Sequence, residues 1–222
     1  MDSYTPKQSI YNNPAPLREE FDKVIQLIKY PDNDSPENEK EFEYRRNRAL
    51  LMATYLTAGR ISEVIKLKSN NFDWNTPNSV NYFIRNMRNL KNKQLPHKLI
   101  PLPKKDWYTQ ELRQYIETYI PNPNYYLFYY RKKTFGYSKP NGKKAMNRST
   151  AWRIISKSGE DAGVKLWPHI LRHYRLSHIA PQLSDRELIR ISGHRNSQNL
   201  EYYVRLDEST FENKIPFKAN SE

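Results

Sequence analysis

The chain has 222 residues, no cysteine and a formal net charge of +13. This length allows one good-sized hydrophobic core. The absence of cysteine excludes disulfides, thiolate zinc sites and a cysteine nucleophile. The five histidines are His97, His169, His173, His178 and His194. None lies in a metal-binding spacing such as HExxH, so we expect neither a metal nor another cofactor.

No apolar run approaches the roughly 20 residues that a membrane span needs. The N-terminal residues contain no basic start followed by an apolar stretch, as a secretion signal would. We therefore expect a cytoplasmic protein without a membrane partner. The isoelectric point near 9.7, together with 17 Tyr and 4 Trp, favours a polyanion as partner, because cations neutralise phosphates and aromatic rings stack on bases and sugars. Nucleic acid is the first hypothesis, and a generally basic surface is the alternative.

The N-terminal quarter predicts an irregular arm followed by helices. Apolar residues recur at helical spacing from Leu17 to Tyr30, and residues 31–38 are rich in turn formers. A second helix is predicted from Glu39 to Ala58, with a left-handed cap at Gly59, and a third from Ile61 to Lys68. The junction of the last two helices presents Arg60 at an ordered corner.

The middle of the chain predicts a small sheet. Val80 to Arg85 and Lys98 to Leu102 are predicted strands on either side of a basic connection. A helix from Lys104 to Ile120, a short strand from Tyr125 to Tyr129 and a basic loop from Arg131 to Lys144 follow.

The last third predicts helices again, over 147–162 and 169–179. A further short helix begins after Ser184, which has capping-box spacing to Glu187. A final helix carries Tyr202 and Tyr203. The predicted fold class is mainly α with a small antiparallel β-sheet (α+β). Three parts are predicted: an arm with the first helix (1–36), a main domain (37–206) and a C-terminal tail (207–222).

Three segments carry polar residues at the junctions between these elements: TAGRISEVIKLK, PHILRHYRLSHIA and SGHRNSQNLEYYV. Together they resemble the catalytic domain of the tyrosine site-specific recombinases of the phage integrase type. That family has a Gly-Arg-Ile/Leu-Ser-Glu junction, a His-x-x-Arg motif, and a Gly-His followed nine residues later by a nucleophilic tyrosine. Any one motif is weak, since Arg60 alone reads as an exposed helix-terminal charge and Tyr203 alone as a packing residue. Several motifs in the family's order are specific.

The resemblance, which runs from about residue 44 to 206, implies a role for each matching position. Glu63 is then the acidic companion of the first arginine. The implied catalytic residues are Arg60, His169, Arg172, His194 and Tyr203. Cleavage of a phosphodiester builds negative charge on the phosphate oxygens, and Arg60 and Arg172 suit that charge because guanidiniums offer planar, multidentate contacts and stay charged. A phenol with a reference pKa of ~10 needs a proton acceptor, which the resemblance places at His169.

The family also uses a lysine from a β-hairpin loop as proton donor to the leaving 5′ oxygen. That lysine lies some eight residues before the Pro of a Val/Ile-Pro-Leu strand, and Ile100-Pro101-Leu102 here assigns Lys93. Lys91 would face the same side of a strand and remains the alternative.

Adjacent residues on a helix point about 100° apart, so only one of Tyr202 and Tyr203 is expected to reach the phosphate. The family's nine-residue spacing selects Tyr203. Further cations are predicted to contact the DNA backbone. These are Lys91, Lys93, Lys98, Lys132, Lys133, Lys143, Lys144, Arg175, Arg190 and Arg195.

The resemblance implies metal-independent cleavage and rejoining of double-stranded DNA through a 3′-phosphotyrosine, with self-assembly into a tetramer on DNA. Phe211, Ile215 and Phe217 in the tail suit docking onto a neighbouring copy. Two alternatives stay open: a type IB topoisomerase-like enzyme that relaxes DNA, and a DNA-binding protein that keeps the fold without catalysis.

Overall fold

The computed structural model describes residues 18–134 and 137–195, and the helices and strands named below belong to that part of the chain. Seven α-helices are present in it. They are α1 (Arg18–Gln26), α2 (Glu37–Thr57), α3 (Ile61–Val64), α4 (Trp107–Tyr119), α5 (Arg148–Asp161), α6 (Pro168–Ile179) and α7 (Asp185–Ser192). The strands are β1 (Phe72–Asp73), β2 (Asn81–Arg88), β3 (His97–Pro103), β4 (Tyr129–Thr134) and β5 (Tyr137–Ala145). The predicted fold class, mainly α with a small antiparallel sheet, is confirmed.

Helix α2 is the centre of the core. Every residue from Arg48 to Ala58 is buried, and α4, α5 and α6 all pack on this helix. A helical segment buried on all sides needs no amphipathic stripe, which explains why the apolar residues in this half of α2 are consecutive. Helix α1 joins the same core through Phe21, Val24 and Ile25.

The end of α2 differs from the sequence prediction by one residue. Ala58, and not Gly59, adopts the left-handed conformation, with φ of 44°. Gly59 is needed for close packing instead, because a Cβ there would lie 2.6 Å from Met87 Cε and 2.8 Å from Val64 Cγ2. Helix α3 is also shorter than predicted, and the chain beyond Ile65 turns toward the sheet.

The three-stranded antiparallel sheet has the order β1-β2-β3, and Ile84 pairs with Ile100. Alternation along β3 directs Lys98, Ile100 and Leu102 into the interior. The pairing shifts between Ile84 and Met87, at the position where Asn86 has φ of 58°. A β-bulge of this kind bends its strand and turns the β2–β3 connection relative to the sheet.

The predicted basic loop from Arg131 to Lys144 is wrong, because β4 and β5 form an antiparallel hairpin there. The predicted strand at 125–129 is also displaced, since β4 begins only at Tyr129. The base of the hairpin is held by the buried residues Phe128, Tyr129 and Met146, with Met146 N donating to Phe128 O at 2.6 Å. Backbone hydrogen bonds and the buried base stabilise this hairpin. Its sequence has no alternation of apolar residues, so the two strands could not be predicted from periodicity.

Helix α7 begins and ends at residues typical of helix caps. Ser184 Oγ accepts the main-chain N–H of Glu187, and the Glu187 side chain returns to the Ser184 N–H, so the predicted capping box is confirmed. Helix α7 ends at Gly193 in the left-handed conformation, with φ of 73°. The predicted final helix with Tyr202 and Tyr203 lies outside the described residues. None of the helices in the described ranges is long and apolar enough to cross a membrane.

Candidate active site

A surface pocket of about 480 Å³ lies where three connections meet: the α2–α3 junction, the β2–β3 loop and the end of α7. Its lining residues are Arg60, Leu90, Lys91, Lys93, Gly193, His194 and Arg195. Helix α6 adds His169 and Arg172 beside it: the charges of Arg60 and Lys91 act on His169, and Arg172 contacts His194. The structure thus brings five predicted positions together from distant parts of the sequence, with Lys91 beside Lys93. Tyr203 lies outside the described residues.

Arg60 is the residue before α3, and its acidic companion is buried beneath it. Arg60 Nη1 donates to Glu63 Oε1 at 3.0 Å, and the Arg60 main-chain N–H donates to Glu63 Oε2 at 3.1 Å. The Arg60 side chain is 22% exposed, whereas that of Glu63 is fully buried. Arg60 therefore presents its guanidinium to the pocket from the start of α3, where the buried Glu63 holds it in place.

Lys98 binds Glu63 from the core side. Its ammonium donates to Glu63 Oε2 at 2.6 Å, and the side chains of both residues are fully buried. The prediction that Lys98 contacts the DNA backbone is therefore wrong. The alternation of β3 turns this lysine toward the core, where it pairs with a carboxylate. Burial alone would raise the pKa of Glu63, but the charges and hydrogen bonds of Lys98 and Arg60 hold it below its usual value.

Arg172 is buried at the floor of the site, with 1% of its surface exposed. It donates from Nη1 to Ala58 O at 2.6 Å and from Nη2 to Ser192 O at 3.0 Å. The same Nη2 lies 3.1 Å from His194 Nε2. This guanidinium therefore joins the end of α2 to the end of α7 and brings its charge to a histidine that lines the pocket.

Both histidines of the site are held in the neutral form near pH 7. Burial lowers the pKa of His194, and the charges of Arg172 and Arg60 lower it further, to about 3. Burial also lowers the pKa of His169, with Arg172, Arg60 and Lys91 acting in the same direction. A neutral imidazole keeps a lone pair, so His169 is chemically able to accept a proton.

The β2–β3 loop is ordered by two buried asparagines, Asn89 and Asn92, which were not among the predicted site residues. Asn89 Oδ1 accepts the main-chain N–H groups of Lys91 and Asn92, and its Nδ2 donates to Gly193 O at 3.1 Å. Asn92 Nδ2 donates to His194 O at 3.0 Å. The sequence contained a signal for both residues, because asparagine side chains often accept main-chain hydrogen bonds in the short turns that connect strands.

The same contacts explain the glycine before His194. A Cβ on Gly193 would lie 2.5 Å from Asn89 Nδ2 and 2.7 Å from Lys98 Cε, in addition to the cost of its positive φ. The loop that carries Lys91 and Lys93 is therefore packed directly against the turn that carries His194. Arg195, which is exposed, adds hydrogen bonds from Nε and Nη2 to Lys91 O.

The low pKa of His194 predicts acid sensitivity of the fold. The folded pKa of His194 is about 3, whereas an unfolded histidine titrates near pH 6.5. As the pH falls below 6.5, the unfolded chain therefore takes up a proton on this residue and the folded chain does not. Its stabilising effect is complete above pH 6.5 and is lost progressively as the pH falls toward 3. We expect the free energy of unfolding to drop by about 1 kcal/mol per pH unit between pH 6.5 and 5, after allowance for solvent screening.

Urea denaturation at pH 7, 6 and 5 measures this effect, and a His194→Gln variant is the matched control. The variant should show the shallower pH dependence. Equal slopes for the two proteins would contradict the assignment of this sensitivity to His194.

Comparisons with known proteins agree with this geometry. The model of the phage integrase family matches residues 20–210. The tyrosine recombinase XerA of Thermococcus kodakarensis is 24% identical over 163 residues, covering 73% of this chain and 51% of the relative. The tyrosine recombinase XerD of Staphylococcus aureus is 27% identical over 205 residues, covering 90% of this chain and 61% of the relative.

Among solved structures, the XerH site-specific recombinase bound to its difH substrate in a pre-cleavage complex superposes with a TM-score of 0.62. The identity is 20%, and the match covers 90% of this chain and 53% of that one. The fold is thus that of a tyrosine recombinase catalytic domain. Because the family model spans most of the sequence, the chain belongs to the phage integrase family. It spans about half to three fifths of the length of the curated relatives above.

No group of three or more His, Cys, Asp or Glu residues in the described ranges is placed to hold a metal ion.

Proposed function

We propose that this chain is the catalytic domain of a site-specific DNA recombinase that cleaves and rejoins double-stranded DNA through a 3′-phosphotyrosine on Tyr203, without a metal ion. The observation that carries the proposal is the convergence at one pocket of Arg60, His169, Arg172 and His194 with the lysine loop, which is the β2–β3 loop that carries Lys91 and Lys93. Fixed cations beside neutral histidines suit a reaction that develops negative charge on a phosphate and moves protons.

In the proposed reaction, the scissile phosphate lies over the pocket. Arg60 donates to its non-bridging oxygens, and Arg172 adds positive charge from the floor through its contact with His194. Because these groups are already held in place, their reorganisation costs little as the five-coordinate phosphorus forms. Neutral His194 keeps one N–H, which can donate a hydrogen bond to a non-bridging phosphate oxygen.

Two protons move in the proposed cleavage step. The Tyr203 oxygen attacks phosphorus while its proton passes to His169, which forms the phosphotyrosine bond. The bond from phosphorus to the 5′ oxygen breaks, and the oxygen takes a proton from the loop lysine, Lys93 in the first assignment and Lys91 in the alternative. Rejoining is the same pair of transfers in reverse, with a 5′ hydroxyl as the attacking group.

Double-stranded DNA is the proposed substrate and partner. The net charge of +13 and the basic sequence of the β4–β5 hairpin support a surface that binds phosphates over a wider area than the pocket. Among proteins of similar fold, the XerH recombinase was solved bound to its difH substrate and the Tn1549 transposon integrase in complex with circular intermediate DNA. We also propose that residues 37–206 form the catalytic unit, that four copies assemble on DNA, and that the tail from residue 207 takes part in that assembly.

Covalent capture tests the proposal directly. Purified protein is incubated with a library of labelled random-sequence duplexes that carry a nick near the centre, so that the cleaved end diffuses away and the protein stays attached. Protein-linked DNA should be recovered after denaturation, and its sequenced ends should define a preferred site. Because the charges needed are supplied by arginine and lysine side chains, recovery should be equal in excess chelator.

Loss of the linked DNA in chelator, with restoration by a divalent ion, would contradict the metal-free mechanism. DNA binding without any linked product would favour the non-catalytic alternative. Linked product on sites without sequence preference, together with relaxation of supercoiled plasmid, would favour the topoisomerase-like alternative.

A further inference from the structure

Lys98 is an unusual feature of the site, because it is a lysine whose side chain is fully buried in the core. Burying an ammonium group is costly unless a charged partner and good hydrogen-bond geometry compensate for the lost water. The compensation here is Glu63 Oε2 at 2.6 Å. Glu63 is in turn bound to Arg60, so the buried ion pair lies directly under a residue of the pocket.

The four hydrogen bonds to Glu63 divide evenly between its two oxygens. Oε2 accepts Lys98 Nζ and the Arg60 main-chain N–H. Oε1 accepts Arg60 Nη1 and the main-chain N–H of Leu90, which belongs to the lysine loop. Lys98 therefore occupies an acceptor site on Oε2. Without Lys98, a second nitrogen of the Arg60 guanidinium could bind there.

The Arg60 guanidinium uses only part of its donor capacity within the described residues. Nη1 donates to Glu63 and, at 3.5 Å, to Asn89 Oδ1. Its Nε and Nη2 make no hydrogen bond to any residue in the described ranges, and the side chain is 22% exposed in the pocket lining. Two guanidinium nitrogens are thus left for an anion.

We propose that Lys98 is a positioning residue: by pairing with Glu63 from the core side, it prevents Arg60 from closing onto the carboxylate and keeps the guanidinium directed into the pocket. This inference rests on the proposed function for its activity readout. A fork-shaped guanidinium and a carboxylate favour a bidentate pair when no other cation competes. Loss of the Lys98 charge should therefore withdraw Arg60 from the phosphate.

The stem of Lys98 reaches the other side of the site as well. Its Cε packs beneath Gly193, where a Cβ would come within 2.7 Å of it. The charged or titratable groups that act with Lys98 are Glu63 on α3, Arg60 before it, Arg172 on α6 and His194 after α7. Burial, with Arg172 and Arg60, lowers the pKa of Lys98 to about 8 against the opposing effect of Glu63.

A double-mutant cycle separates positioning from general structural support. Lys98→Met removes the charge at similar volume, and Glu63→Gln removes the charge on which it acts. Single-turnover cleavage of the captured site is measured for the wild type, both single variants and the double variant, at protein concentrations that saturate the DNA. Circular dichroism and urea denaturation provide the fraction folded for each protein.

We expect Lys98→Met to slow cleavage about 10- to 100-fold in the wild-type background, as a displaced catalytic contact does. In the Glu63→Gln background the same substitution should have little effect, because Arg60 no longer has a carboxylate to close onto. An equal loss in both backgrounds would overturn the proposal. If Lys98→Met alone does not fold, the cleavage rates of Glu63→Gln and of the double variant are compared. A rate that is much lower in the double variant contradicts action through Glu63.

The pH dependence is a second readout that structural support alone would not produce. Below pH 8 Lys98 is charged, and the ratio of the wild-type rate to the Lys98→Met rate should be largest. As the pH rises above 8 the wild-type lysine loses its proton, so the ratio should fall toward one. The titration of the nucleophile affects both proteins and cancels in the ratio. A ratio that stays constant from pH 7 to 9.5 would contradict the proposal.

A third readout does not depend on cleavage. The ¹⁵N NMR signal of the Arg60 guanidinium, identified by its absence in Arg60→Lys, should shift in Lys98→Met toward that of an arginine that binds a carboxylate through two nitrogens, whereas wild-type Arg60 binds Glu63 through Nη1 alone. If the wild type forms no covalent product, the proposed function fails, and this signal alone then tests the position of Arg60. An unchanged signal overturns the role of Lys98.

Discussion

Replacing Tyr203 by phenylalanine is expected to abolish the covalent protein–DNA product while leaving duplex binding close to that of the wild type. The phenolic oxygen is the atom that forms the bond to phosphorus, whereas the ring alone suffices for packing. The product is followed on a denaturing gel with the labelled, nicked duplex, and binding by a native gel at the same salt concentration.

The adjacent tyrosine is the matched control. Tyr202→Phe should keep the covalent product, since on the predicted helix neighbouring side chains point about 100° apart and only one is expected to reach the pocket. The opposite outcome, with product from Tyr203→Phe and none from Tyr202→Phe, would move the nucleophile by one residue. Loss of binding by either variant would indicate a structural role for that ring.

Replacing Lys93 by alanine is expected to slow cleavage by about 10²- to 10⁴-fold on an ordinary phosphodiester, as loss of a general acid does. The rate should recover on a duplex whose scissile 5′ bridging oxygen is replaced by sulfur, because a thiolate leaves without a proton. Rates are measured under single-turnover conditions with the two substrates in parallel.

Lys91→Ala serves as the comparison, because both lysines line the pocket and the charge of Lys91 also acts on His169. It should show a smaller loss that is equal on the oxygen and sulfur substrates. If the sulfur substrate rescues Lys91→Ala instead, Lys91 is the proton donor. A loss that is independent of the leaving group in both variants would contradict a lysine acid in this loop.

Local signals in the sequence predicted much of the secondary structure. The capping box of Ser184 and Glu187 defines the start of α7 by short-range hydrogen bonds, so a segment of four residues is enough to identify it. The two main strands were predicted as short segments on either side of a basic connection. The β4–β5 hairpin was not, because its stability depends on cross-strand pairing and on a base buried in the core, neither of which leaves a periodic apolar pattern.

The spacing of the motifs determined which residues to consider for the site, and the tertiary structure decided how they meet. Arg60, the lysine loop, α6 and the turn after α7 are far apart in sequence, and their meeting depends on the buried helix α2 and on Arg172, which bonds Ala58 and Ser192.

The sequence alone identified Lys98 as one basic residue among many and predicted an exposed contact with DNA. Only the folded chain shows it buried against Glu63, because the cost of burying its charge is offset by a carboxylate 35 positions away that no local pattern connects to it.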